Sequence, residues 1–259
     1  MNLYVIKCDY NGLIYFVKSN NLDLVPNDRV IINIDDILFS GTVLKIEDNN
    51  KKKFDDYVKV IRVISKEDNK TIINNEKDAE AALKFAIKAA KELELEMNFV
   101  DSYYSFDRKQ LIFDFLSENR VDFRDLAKKI ASKYKTRIEL TQIGVRDKAK
   151  KIGGLGPCGM FLCCNSFLTD FNSVSINMAK NQLLALNPTK INGICGRLLC
   201  CLSYENDTYS ELKKDLPKIG LIADTPMGMG KVVDVNVLKG TYKVDLEDKG
   251  IVEFEKWKD

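Results

Sequence analysis

Short apolar runs alternate with turn signals over the first fifty residues. Strands are predicted at residues 3–8, 13–17, 29–34 and 37–46, divided by Asn11-Gly12, Pro26-Asn27-Asp28 and Asp35-Asp36. So many short strands in so little chain bury a core only by curling, so residues 1–52 read as a small β-barrel-like unit. The charged, Asn-rich stretch at 48–53 reads as a solvated loop.

From residue 53 the period changes. Residues 57–65 form a β-branched strand. Asn75 can cap a helix over 76–94, with Leu83, Ile87 and Ala90 on one face and Ala79 and Ala86 beside them. Alternating strands follow at 97–105 and 110–117, joined by the turn Phe106-Asp107-Arg108-Lys109. Asp122 caps a second helix in which Leu126, Ile130 and Tyr134 recur at four-residue spacing, and 137–144 closes the series as a strand. The order β-α-β-β-α-β predicts a ferredoxin-like unit over 53–145, with both helices on one sheet face.

Residues 146–205 break these patterns. They contain a short helix carrying Ile176, Ala179, Leu183 and Leu184, ended by Asn187-Pro188-Thr189-Lys190. After a polar helical connection at 207–218, strands at 220–223, 231–238, 241–246 and 251–254 suggest a C-terminal SH3-like β-barrel over 206–259. The fold class is therefore α+β in four segments: a β-barrel-like start, a ferredoxin-like unit, an irregular cysteine-rich segment and an SH3-like end.

Composition narrows the chemistry. The chain has 259 residues, seven cysteines and no histidine. That absence excludes an imidazole base, Ser-His-Asp or Cys-His catalysis, and any zinc site using histidine. No Walker loop, nucleophile elbow or paired-carboxylate motif points to an enzyme. No 18-residue apolar run is present and the first residues read as a strand, so a cytoplasmic protein without membrane insertion is expected. Thiols stay reduced there, and an odd count suits a disulfide framework poorly.

Six of the seven cysteines fall in a repeat. Cys158-Gly159-Met160-Phe161-Leu162-Cys163-Cys164 and Cys195-Gly196-Arg197-Leu198-Leu199-Cys200-Cys201 share the form Cys-Gly-x-x-Leu-Cys-Cys. Cys8 stands apart in an apolar strand and reads as core. Glycines crowd the first cysteine of each repeat and allow close backbone approach to a ligand. Neighbouring cysteines on a helix point about 100° apart, so each pair is expected to address two directions, one across an interface. Cysteine-only ligands at irregular spacing favour an iron–sulfur cluster. An all-Cys zinc site, inert buried cysteines and a thiol switch remain as alternatives. Between Arg146 and Leu202, seven basic residues oppose two acidic ones, a local charge of +5 in a chain of +2. Arg146, Lys148, Lys150, Lys151, Lys190 and Arg197 are candidates for an anion or acidic partner, or for RNA. The competing reading is an RNA-binding module with a structural Cys-metal site, in which Tyr103, Tyr104 and Phe106 could stack bases.

The runs Gly153-Gly154-Leu155-Gly156-Pro157-Cys158-Gly159, Cys163-Cys164, Val174-Ser175-Ile176-Asn177-Met178-Ala179-Lys180-Asn181-Gln182 and the segment from Leu186 to Leu198 closely resemble the YaaT/RicT family. The resemblance covers nearly the whole chain. It implies a cytoplasmic, non-enzymatic regulatory subunit that assembles with two helical proteins, RicA and RicF. It further implies [4Fe–4S] clusters, support of ribonuclease Y in mRNA maturation, and effects on sporulation, competence and biofilm formation; RNA is counted as an indirect partner, with direct binding left open. By this likeness Cys158, Cys163, Cys164, Cys195, Cys200 and Cys201 are the candidate cluster ligands.

Overall fold

The alternation of the first fifty residues becomes strands β1 (Asn2–Cys8), β2 (Ile14–Ser19), β3 (Arg29–Ile34) and β4 (Ile37–Glu47). The structure, a computed structural model, describes residues 2–19, 22–47, 58–168 and 172–255. The loop expected at 48–53, the start of the strand at Tyr57 and the end of the chain from 256 lie outside the described residues. The chain divides into two compact units, residues 1–144 and 145–259.

In the first unit, β5 (Val58–Val63) completes an antiparallel sheet of order β2-β1-β4-β3-β5. The sheet curls into a half-barrel, bringing its edge strands β2 and β5 near each other. Inward residues Tyr4, Ile6, Val17, Val30, Ile32 and Val43 form its core, with Cys8 fully buried among them as expected. A second sheet, order β6-β7-β8, comprises β6 (Asn98–Tyr104), β7 (Gln110–Leu116) and β8 (Arg137–Gln142). Helices α1 (Lys66–Glu92) and α2 (Arg124–Tyr134) pack on one of its faces. The alanine stripe Ala79, Ala82, Ala86, Ala89 and Ala90 lets α1 approach Leu111 and Phe113 closely. The opposite face, through Ile112 and Tyr103, closes the half-barrel core.

Two expectations are corrected here. The strand–helix order is as read, but the pairing is not ferredoxin-like. The parallel place beside β7 is taken by β8, and β5 pairs antiparallel with β3, where Val58 and Val60 lie opposite Ile34 and Ile32. Period-2 alternation identifies a strand without naming its partner. The first helix also begins ten residues before the expected start. Ser65 caps it in a capping box with Asp68, whose carboxylate also holds Arg62 (Nη2–Oδ1 2.8 Å). Asn75 is instead buried in mid-helix. Its amide donates to the carbonyls of Ser105 and Phe106, and its Oδ1 accepts from Arg108 Nε at 2.7 Å. It thereby ties α1 to the β6–β7 turn.

In the second unit, α3 (Val145–Ile152), α4 (Cys163–Ser166), α5 (Ile176–Asn181), α6 (Pro188–Ile191) and α7 (Cys200–Leu212) precede strands β9 (Ile222–Thr225), β10 (Gly228–Asn236), β11 (Thr241–Leu246) and β12 (Gly250–Glu255). The expected helix through Leu184 stops at Asn181, and Leu183 has φ 56°. Asn187, read as a terminator, instead caps α6, accepting from Thr189 N with Pro188 in the first turn. The helix expected at 207–218 starts earlier, at Cys200. The last four strands pair as an open antiparallel meander, order β12-β11-β10-β9, over Val232, Val235, Val237, Val244 and Leu246. Each strand is satisfied by its sequence neighbour, and closure into an SH3-like barrel is not part of the pairing among the described residues.

Candidate functional site

The sequence repeat is also a conformational repeat. In the first copy Gly156 N donates to Met160 O (2.8 Å), Gly159 N to Gly156 O (3.0 Å) and Leu162 N to Gly154 O (3.1 Å). In the second, Gly193 N donates to Arg197 O (2.8 Å), Gly196 N to Gly193 O (2.9 Å) and Leu199 N to Ile191 O (2.9 Å). Each tight loop is closed by one β-bridge, Leu155 with Phe161 and Asn192 with Leu198. Gly159 and Gly196 turn the chain at φ 78° and 77°, a region open to glycine at little cost. Each loop then enters a helix whose first two residues are the paired cysteines, Cys163-Cys164 in α4 and Cys200-Cys201 in α7.

All six repeat cysteines line one pocket of about 90 Å³, walled by Pro157, Phe161, Leu162, Ile194, Leu198 and Leu199. Both cysteines of each adjacent pair, expected to address two directions, contribute to the lining of this one pocket. Cys163 and Cys164 of the first repeat and Cys200 and Cys201 of the second occupy equivalent places in the sequence repeat. The loop glycines leave room beside the sulfurs. A Cβ on Gly156 would lie 3.5 Å from Cys158 Sγ, and one on Gly193 3.8 Å from Cys195 Sγ.

Burial dominates the electrostatics. It raises the pKa of Cys163, Cys164 and Cys200 above that of an ordinary thiol, and pushes Cys201 up to about 11 with help from the Glu205 carboxylate. Helix-start N–H groups and the helix dipole favour a thiolate, yet desolvation outweighs them here. Arg146 acts in the opposite sense, lowering the cost of a negative sulfur at Cys164 and Cys200. Of the six basic candidates, only Arg146 lines the pocket, with Nη2 donating to Leu198 O at 3.4 Å. Lys148, Lys150, Lys151, Lys190 and Arg197 do not line it. Sequence reasoning missed Glu205, which stands four residues after Cys201 on the same face of α7. That spacing becomes visible once the helix is started at Cys200. Of the three aromatics offered for base stacking, Tyr104 is buried, Tyr103 stacks near Phe39 with its hydroxyl 3.2 Å from Ser40 Oγ, and Phe106 is half-buried.

The donor set fits a thiolate-bound inorganic centre. The pocket is well below the roughly 300–1,000 Å³ of organic-ligand sites and is lined by sulfur and apolar groups. Among the described residues, no three Cys, Asp or Glu side chains are gathered tightly enough for a single metal ion. The six cysteines share the lining of one pocket.

The sequence matches place this chain among proteins with a PSP1 region. Residues 58–143 match the PSP1 C-terminal conserved region, and residues 173–216 match the third domain of PSP1-like proteins. The chain is 42% identical over 250 residues to the stage 0 sporulation protein YaaT of Bacillus subtilis, covering 95% of this chain and 90% of that protein. It belongs to the YaaT family. Protein PSP1 of Saccharomyces cerevisiae is 30% identical over 126 residues, 47% of this chain and 15% of the yeast protein. An uncharacterised Schizosaccharomyces pombe protein is 25% identical over 122 residues, 46% of this chain and 15% of its own. No solved structure matches the chain. No helix among the described residues is long and apolar enough to cross a membrane.

Proposed function

We propose that this protein is a non-enzymatic regulatory scaffold of sporulation control whose six-thiol pocket holds [4Fe–4S] chemistry shared with RicA-like and RicF-like helical subunits. In this reading the assembly steers ribonuclease Y in mRNA processing within the cytoplasm, and RNA meets the nuclease before this chain. The observation that carries the metal part is the convergence of two distant cysteine repeats on one sulfur-lined pocket. The regulatory part rests on the likeness to YaaT, whose name places it in stage 0 sporulation.

Burial holds protons on the thiols, and ligation replaces each proton with metal, so the metal and the local fold support one another. A bound cluster would supply a rigid negative centre joining the loops of both repeats. Arg146, which lines the pocket, offsets part of that charge. Cysteine-only donors at irregular spacing favour a cluster over zinc, whose ribbons usually carry Cys-x2-Cys knuckles that are absent from this sequence.

The test is anaerobic co-purification with RicA- and RicF-like proteins, followed by iron and acid-labile sulfide analysis. Iron and sulfide are expected in equal amounts in the complex, with little or labile iron in the chain alone. Cys164→Ser and Cys201→Ser, equivalent positions of the two repeats, should each lower both metal content and partner recovery. Zinc in place of iron, or a stable complete cluster in the isolated chain, would overturn the shared-cluster reading.

A further inference from the structure

The first unit carries a second concave site, unrelated to the cysteines. A groove of about 280 Å³ runs between α1 and β6, walled on the helix side by Ile72, Ala79 and Leu83. Strand β6 is the outer strand of its sheet. Ser105 N donates to Gln110 O at 2.9 Å, which sets the phase of the ladder. By alternation, Asp101 and Tyr103 face β7, while the backbone groups of Ser102 and Tyr104 point away from it. The bulge in the β6–β7 pairing lies between Phe99 and Asp101, leaving residues 101–104 in regular register. Three carboxylates line the groove, Glu76, Glu80 and Asp101, with no basic residue among its walls. Glu80 is held by Lys84 at 2.7 Å, and Asp101 Oδ1 accepts from Ser102 N at 2.8 Å.

We propose that this groove takes an extended peptide segment bearing lysine or arginine as an added strand on β6. Main-chain pairing at Ser102 and Tyr104 supplies the attachment, and the acidic rim selects basic side chains on alternate positions. An incoming cation draws the Asp101 carboxylate outward and frees the Ser102 N–H for pairing. A second copy of this chain is the wrong occupant, because two-fold pairing would set one acidic rim against the other. The groove lies within residues 58–143, the stretch matching the PSP1 conserved region, so its function stands or falls independently of the metal.

The probe is a fluorescein-labelled ten-residue peptide of alternating lysine and valine, titrated against the full chain by fluorescence anisotropy. Saturable binding is expected. The glutamate–valine analogue and a lysine–valine peptide N-methylated at every second residue should both fail to bind. In the untouched protein, the peptide should slow hydrogen exchange at the Ser102 and Tyr104 amides. The Glu76→Lys/Asp101→Lys double variant, its fold checked by circular dichroism, should bind about tenfold more weakly. The proposal is overturned by absence of binding at about millimolar concentration. Equal binding of the N-methylated peptide would overturn it as mere charge attraction. Sedimentation showing a dimer through β6 would overturn it in favour of a second copy.

Discussion

Alanine substitutions at the four loop glycines should separate the folding of the cysteine loops from their chemistry. At Gly159 and Gly196 the new residue must hold φ near 78° and 77°. A Cβ in that region costs an L-residue about 1–2 kcal/mol. Nothing lies within 4 Å of the Cβ position at either site, so no clash adds to the strain. Each substitution should therefore cost about 1–2 kcal/mol, and the two costs should agree. Gly156 and Gly193 lie outside the left-handed region, and their Cβ positions meet neighbours at 3.5 Å or more. Alanine there should change the stability of the metal-free protein by no more than about 0.5 kcal/mol, because the lowered entropy of the unfolded chain offsets a small contact cost. The methyl nevertheless occupies space beside Cys158 or Cys195, and bound iron should fall. The assay is urea titration of metal-free protein followed by circular dichroism. Hydrogen exchange at the backbone amides of positions 156 and 193 serves as the local reporter, and iron is measured on parallel anaerobic preparations. Equal destabilisation by all four substitutions would refute the separation. A cost confined to one repeat would refute the equivalence of the two loops.

Two further outcomes test the first unit. Ser65→Ala should cost about 1 kcal/mol by removing the cap of α1, and Asn75→Asp about 1–3 kcal/mol by removing two buried donors, both read by thermal or urea unfolding. Were Asn75 the N-cap, Asp would be tolerated and Ser65→Ala silent. Asp68 is held well below the ordinary carboxylate range, first by its hydrogen bond to Arg62 and then by the Ser65 backbone N–H. Its stabilisation is thus fully present above an unfolded pKa of about 3.9 and is lost as pH falls through that value towards the depressed folded one. The stability gap between the natural chain and Asp68→Asn should be about 1–2 kcal/mol at neutral pH and vanish in acid. A gap that persists or widens below pH 4 would contradict the assignment.

Local rules settled much of this protein before any tertiary contact was considered. Alternation bounded β3 at Arg29–Ile34 and β11 at Thr241–Leu246, where turn residues cut the apolar pattern on both sides. The duplicated Cys-Gly-x-x-Leu-Cys-Cys motif singled out the six cysteines that line one pocket, because so dense a cysteine repeat is unusual for ordinary packing. The start of α1 was obscured because its first turns, Lys66 to Asn74, are largely polar. Their helicity is secured by the Ser65 cap and by packing further along, not by an apolar stripe. The partner of β5 was not legible at all, since a strand's own period carries no information about which edge it will meet. The same limit governs the cysteines. On each helix Cys163 and Cys164, or Cys200 and Cys201, diverge, as helical geometry demands. Only the packing of the α4 start near the α7 start brings the two pairs to one pocket, because residues 37 positions apart in sequence meet there through tertiary contact alone.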